Sequence, residues 1–343
     1  MYGIVTFHDG INFGAYLQVY ALQQYLTSKG IDNEIINYKS RRHWFNEYKF
    51  FLHTKRPRLL VNNIYKIYKF KQEQRRFKQT QFFTNPKVAK QKHYQAIVFG
   101  SDEIWNFNNA LSGKDLFYFG KGLMADNFIA YSTSFGNITS GTVIDNDIRE
   151  LLLKFTSISV RDENSVNMLK NIYPKSVPIT LDPTLLYDFS NLERKCPYSN
   201  FIMVYSTGFN ADIQRQVRSY ADSKNMKLIS VGWWNQFCDI NVIAIDPFEF
   251  LSYFRRAAEV VTSMYHGVLF SLKYHKRFSL IIDPYRVNKL SIINRLKLSD
   301  RIYNAEGSLD KTMNEKIDYP QVEAFLLEDR LKSEEYLLTA LKG

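Results

Sequence analysis

The chain opens on an apolar run, Tyr2 to Phe7, then a loop reading HDGINFG, then a stretch from Ala15 to about Ser28. In that stretch Leu17, Tyr20, Ala21 and Tyr25 recur at helical spacing, and Gly30 supplies a C-terminal stop. Glu34 to Asn37 reads as a second short strand. A strand, a helix and a strand in this order commit the chain to a parallel α/β sheet, because the second strand must return through a crossover that covers one face of the first.

The alternation breaks off between residues 39 and 92, where a basic, aromatic and helix-like segment intervenes. It resumes at Ala96–Phe99, a strand running into Gly100-Ser101-Asp102, and continues with strands at Phe128–Ser132 and Ser157–Val160. Helices are expected near Asp145–Lys154 and Asp162–Ile172, and Leu181-Asp182-Pro183-Thr184 reads as the end of a strand and a turn. A polar stretch, Asn191 to Asn200, looks like a linker. A second run follows: strand Phe201–Tyr205, helix Asp212–Ser223, strand Lys227–Val231, helix Pro247–Arg255 and strand Val260–Thr262. Helix His266–Tyr274, strand Phe278–Ile282 and helix Val287–Leu296 complete it. The expected fold is α/β, with two Rossmann-like domains facing a cleft: 1–190 with the helical insertion at 39–92, and 198–310, followed by a helical segment at 311–343. In open parallel sheets, ligands bind beyond the carboxyl ends of the strands. The loops around Asp102, Arg161 and His266 all follow expected strands.

Composition excludes several classes. At 343 residues, two domains of ordinary size fit better than one core. Cys196 and Cys238 are too few for a disulfide framework or a cysteine-rich metal site. No stretch approaches the ~18 apolar residues of a membrane span. The start MYGIVTFHDG lacks a basic n-region and a small-residue cleavage site, so a cytoplasmic protein is expected. The net charge of +11 is concentrated: residues 39–92 hold 16 Lys/Arg against Glu47 and Glu73, leaving the rest slightly acidic. Solvated helices account for such a segment. The functional alternative is contact with anionic lipid headgroups or a lipid-diphosphate glycan carrier at the inner face of a membrane. No nucleic-acid motif accompanies the charge, so nucleic acid is not an expected partner.

Four loops carry chemistry-bearing residues. His8 to Gly14 joins Gly10, Asn12 and Gly14 to a helix start, as an anion cradle or as a plain tight turn; neither GxGxxG nor Walker spacing is present. Gly100-Ser101-Asp102 sets a carboxylate at a strand end, as a functional group or as a helix N-cap. Downstream, Trp105 offers a sugar-stacking face and Asn106 an amide, although Trp is also common in cores. Arg161 follows a strand and precedes a helix whose N-cap is Asp162. It can bind a carboxylate or phosphate, or pair with a neighbouring acid. In Ser263-Met264-Tyr265-His266-Gly267 the histidine can move a proton near neutral pH, or be structural. No metal-ligand spacing surrounds it.

Together these loops resemble the polysaccharide pyruvyl transferase family. GIVTFHDGINFGAYLQVYALQQYL is similar to its opening N-[FY]-G-A-x-L-Q-x-Y-A-L pattern. IVFGSDEIWN is similar to V-G-S-D-Q-x-W-N, with Glu103 in place of Gln. AYSTSFG, SVRDENSV, LDPTLL and TSMYHGVLFSLKYHKRF resemble the later elements in order, over roughly residues 2–302. The resemblance implies a GT-B-like fold and phosphoenolpyruvate as donor. It also implies transfer to a sugar of a surface polysaccharide, such as a capsule or exopolysaccharide, or of its lipid-linked precursor.

Carried over by position, Asp102, Arg161 and His266 match active-site positions. His266 is then the acid and Asp102 the base. Arg161 holds the donor carboxylate or phosphate, helped by amides at Asn12–Ala15 or Gly267. The substrate-binding candidates are His8, Asn12, Gly14, Ser101, Trp105, Asn106, Ser263, Tyr265, Gly267, Lys276 and Arg286. Tyr265 stands where other members of the family carry Arg, so either Lys273, Lys276, Arg277 or Arg286 substitutes for that cation, or the donor differs. The chemistry calls for no cofactor and no obligatory metal. Rival readings are a GT-B-type nucleotide-sugar glycosyltransferase and a non-catalytic glycan-binding or assembly protein.

Overall fold

A computed structural model describes residues 1–139, 141–282, 290–303 and 309–342. The chain forms two compact units. The first comprises residues 1–51, 72–187 and 326–343; the second comprises 52–71 and 188–325. The basic stretch 39–92 is therefore not one block, because residues 52–71 fold with the second unit. Likewise, the end of the chain from Leu326 folds with the first.

The first unit is a five-stranded sheet made from β1 (Tyr2–Val5), β2 (Asn33–Ile35), β3 (His93–Phe99), β4 (Met124–Thr133) and β5 (Ser157–Val160). Its order is β2-β1-β3-β4-β5 and every pairing is parallel. Its helices are α1 (Phe13–Ser28), α2 (Arg41–Leu52), α4 (Asn146–Leu152), α5 (Glu163–Leu169) and α6 (Pro183–Leu186), while α3 (Pro57–Gln74) folds up to Lys71 with the second unit. The helix α1 is buried around nearly its whole circumference, which explains why its sequence shows little polar face. The expected turn at 182–184 is the start of α6, with Asp182 as N-cap and Pro183 at the first helical position.

The second unit is a six-stranded sheet of β6 (Ile202–Tyr205), β7 (Leu228–Val231), β8 (Ile240–Val242), β9 (Glu259–Thr262), β10 (Arg277–Ile281) and β11 (Ile302–Tyr303). Its order is β11-β10-β9-β6-β7-β8, again parallel throughout. The helices α7 (Ala211–Ser223), α8 (Pro247–Arg256), α9 (Tyr265–Lys273), α10 (Leu290–Arg295), α11 (Leu309–Asn314) and α12 (Tyr319–Lys342) complete the chain. The α8 start carries a full capping box, Asp246 with Glu249. Among the described residues, no helix is long and apolar enough to cross a membrane.

Strand order fixes where each sheet can bind a ligand. From β1 the chain steps to β2 on one side, and from β3 to β4 on the other, so the order reverses between β1 and β3. In the second sheet it reverses between β6 and β9. Connections diverge at such points, and a crevice opens beyond the carboxyl ends of the two strands.

Candidate functional site

At the switch point of the first sheet, the ends of β1 and β3 are tied together by buried hydrogen bonds. Thr6 Oγ1 donates to Ser101 O at 2.8 Å, Gln18 Nε2 donates to Thr6 Oγ1 at 3.0 Å, and Ser101 N donates to Gln18 Oε1 at 3.1 Å. One fully buried glutamine on α1 thus links the two loops. Gly100, at φ 116°, could not carry a side chain, since a Cβ there would lie 2.3 Å from Tyr131 O.

Asp102 sits immediately beyond, at φ 85°, a backbone region that non-glycine residues adopt only when their surroundings hold them. It caps no helix. Its Oδ1 accepts hydrogen bonds from Glu103 N at 2.8 Å and Arg161 Nη2 at 3.3 Å. Among the described residues nothing donates to Oδ2, and the side chain retains 17% of its exposure. Arg161, which is buried, also lies 3.8 Å from Glu103 Oε1 and 3.5 Å from Asp182 Oδ2. The ion-pair alternative for Arg161 is what the structure brings together: three carboxyl groups around one guanidinium. Such surroundings disfavour another anion there, which favours the ion-pair alternative over a hold on a donor carboxylate or phosphate. Asp162 is the N-cap of α5, accepting from Ser165 N at 2.7 Å and from Ser134 Oγ at 2.6 Å. Burial raises its carboxyl above the ordinary range despite those bonds.

In the second unit, Thr262 Oγ1 donates to Tyr205 O at 2.7 Å and accepts from Met264 N at 3.0 Å. Ser263 and Ser206 hydroxyls lie 2.8 Å apart. These bonds join the carboxyl ends of β9 and β6 at the second switch point. His266 is the second residue of α9, 8% exposed, with its ring edge-on to Tyr265 at 5.4 Å. Gly267 is there for space: a Cβ would lie 2.1 Å from Thr262 Oγ1.

The sequence profile of the polysaccharide pyruvyl transferase family matches residues 12–282, well over half of the chain, and includes Asp102, Arg161 and His266. The chain belongs to that family. No curated protein sequence matches it. Among solved structures it is similar to a UDP-GlcNAc 2-epimerase from Methanocaldococcus jannaschii, at 12% identity over 99% of each chain with a TM-score of 0.53. Others are a UDP-GlcNAc 2-epimerase from Neisseria meningitidis (8% identity, 97% of this chain, 94% of that, TM-score 0.45) and the E. coli heptosyltransferase WaaC (10%, 96%, 100%, 0.40). At such identities the likeness concerns the fold, which is GT-B-like with two parallel-sheet α/β units.

Several expected site residues prove internal. Trp105 is fully buried, its Nε1 donating to Tyr118 O at 3.0 Å and its ring stacked on Phe119, so it presents no face to a sugar. A ring that large seals the core beneath the Asp102 loop instead. Ser101 is equally buried, its hydroxyl shared between Ser132 O and Asp182 Oδ2. Asn106 holds its own turn, donating to Asn137 Oδ1 at 3.0 Å and accepting from Asn108 N. His8 is buried, with Nε2 2.9 Å from Asn37 Oδ1 and Nδ1 3.2 Å from Thr6 O.

The anion cradle is likewise occupied from within. Asn12 Oδ1 accepts from Gly14 N and Ala15 N as the N-cap of α1, and Glu47 Oε1 accepts from Ile11 N at 2.8 Å. Glu47 is one arm of a buried cluster in which Lys39 Nζ lies 2.5 Å from Glu47 and 2.9 Å from Asp9. Burial opposes the Lys39 charge, and Asp9 with Glu47 outweighs it, so the ammonium is held above its ordinary range.

The substitute cations are also relocated. The helix α9 leaves the carboxyl end of β9 and must deliver the chain to the amino end of the parallel β10. Lys273, Lys276 and Arg277 therefore lie at the opposite edge of the sheet from His266. There Lys276 Nζ donates to Arg255 O at 2.7 Å, Arg277 faces Glu259, and Lys273 lies over the Phe189 ring. Arg286 lies outside the described residues. Gln18 and Asp182 were missing from the expected site. Both stand inside motifs, at A-x-L-Q and L-D-P-T, but a glutamine on a helix and an N-cap aspartate each have an ordinary structural explanation.

Proposed function

We propose that the chain transfers the enolpyruvyl-derived group of phosphoenolpyruvate to two hydroxyls of a saccharide, forming a ketal on a surface polysaccharide or its lipid-linked precursor. One observation carries this reading: in a member of this family, Asp102 stands at a switch point with Oδ1 fixed by Glu103 N and Arg161 while Oδ2 remains able to accept a substrate hydroxyl.

In this reading His266 gives a proton to C3 of the donor, and C2 becomes electrophilic. The first sugar hydroxyl adds to C2 as Asp102 Oδ2 takes its proton. The C2–O bond to phosphate then breaks, and the second hydroxyl closes the ketal, its proton leaving with phosphate. Each acid–base role contributes ~10²–10⁴ in rate. Glu103 and Asp182 keep Arg161 in place, and Arg161 keeps Asp102 aimed.

Nucleotide-sugar transfer is the rival, favoured by the fold likeness to an epimerase described as a complex with UDP-GlcNAc and UDP. Isothermal titration calorimetry with phosphoenolpyruvate and with UDP separates the two. Heat from phosphoenolpyruvate alone is the expected result. Heat from UDP alone would transfer the assignment to the rival.

A further inference from the structure

The helix α3 is packed with the wrong side in. Val61, Ile64, Tyr65 and Tyr68 recur at i, i+3, i+4 and i+7, the spacing of a core-facing stripe. They are instead 52%, 50%, 58% and 59% exposed. The opposite side, carrying Asn63, Lys66 and Phe70, is the buried one. Specific bonds fix this rotation within the second unit. Lys66 Nζ donates to Gly232 O at 2.9 Å and lies 4.5 Å from the Trp233 ring centroid, and Lys69 Nζ pairs with Glu249 at 2.6 Å. Turning the stripe inward would break all three.

Charge says what covers the stripe. Residues 52–71 contain six Lys/Arg and no Asp or Glu, and with Lys66 buried and Lys69 paired to Glu249 the cations left for the outer side are Lys55, Arg56, Arg58 and Lys71. Arg58 and Lys71 stand two turns from Tyr65 and Ile64 along its edges, and Lys55 and Arg56 precede the helix. A second copy of the chain would bring like charges together across a symmetric contact. An anionic bilayer complements both features: cations gain from the headgroup potential, while tyrosines and aliphatic side chains enter the interfacial zone without spanning it.

We infer that the Val61–Tyr68 face of α3 is a docking surface for an anionic lipid bilayer. The inference does not depend on the identity of the donor or of the transferred group. Co-sedimentation of the full chain with vesicles tests it, using phosphatidylcholine alone and phosphatidylcholine mixed with phosphatidylglycerol, at low and high salt. The wild type is expected on the mixed vesicles, weakened by salt. The double variant Ile64→Ser with Tyr68→Ser is expected to lose at least about tenfold in partitioning, with thermal unfolding little changed because both side chains are at least half exposed. Equal binding to neutral vesicles, or an unchanged double variant, would overturn the inference. So would a concentration-dependent dimer abolished by the same pair, which would make the face a self-association surface.

Discussion

Arg161 Nη2 lies 3.3 Å from Asp102 Oδ1, and the same guanidinium reaches Asp182, a carboxyl with no solvent exposure. Removing the cation would strand these acids. Arg161→Ala is expected to cost about 3–5 kcal/mol in denaturant unfolding. Asp102→Asn, in contrast, keeps the shape, and asparagine tolerates positive φ. It is expected to fold with near-normal stability and to lose ~10²–10⁴ in kcat as the base disappears. Comparing unfolding midpoints with turnover for the two variants checks this division between positioning and chemistry.

His266→Gln is expected to lower kcat at least ~100-fold with its unfolding midpoint little changed. Single-turnover measurement of phosphate release reads the chemical step directly. A rate near that of the wild type would remove His266 from the acid role.

Gly267 and Thr262 share one space. A Cβ at 267 would lie 2.1 Å from Thr262 Oγ1, which is itself bonded to Tyr205 O and Met264 N. Gly267→Ala is expected to cost about 1–3 kcal/mol through overpacking. Adding Thr262→Ala should recover part of that loss, so the pair is expected to be non-additive in a double-mutant cycle. Simple additivity would mean that the close approach does not set the packing here.

His43 is buried beside the Lys39 cluster. Burial, and then the Lys39 charge, push its imidazole down to about 3, against 6.5 for an exposed histidine. The unfolded chain therefore binds a proton below about pH 6.5 that the folded chain refuses until about pH 3. Stability should fall as pH drops through that window, by up to about 1.4 kcal/mol per pH unit from this group. His43→Phe should remove this component. The check is unfolding free energy at pH 7 and pH 5 in both proteins: the wild type should lose about 2 kcal/mol more than the variant.

Much of the fold was legible because each strand-to-helix alternation carries its own period, and parallel pairing follows from the crossovers. The strands β8 and β11 escaped because two or three residues show no periodicity. At the site, the sequence marked the strand ends correctly, since Asp102 and His266 follow β3 and β9. It could not tell Trp105 as a platform from Trp105 as core, because the residue type serves both. The Lys276 placement was derivable: a crossover between parallel strands returns the chain to the amino edge of the sheet. The inversion of α3 was not, because nothing in a periodic stripe says which side the rest of the protein will cover.

The central claim is the identity of the transferred group. Offer the protein phosphoenolpyruvate and UDP-sugars together, with a panel of nitrophenyl and lipid-linked glycosides, and weigh the acceptors by mass spectrometry. The expected product gains the mass of pyruvic acid less water, with release of phosphate. An acceptor that instead gains a sugar residue from the nucleotide, with phosphoenolpyruvate intact, would contradict the account.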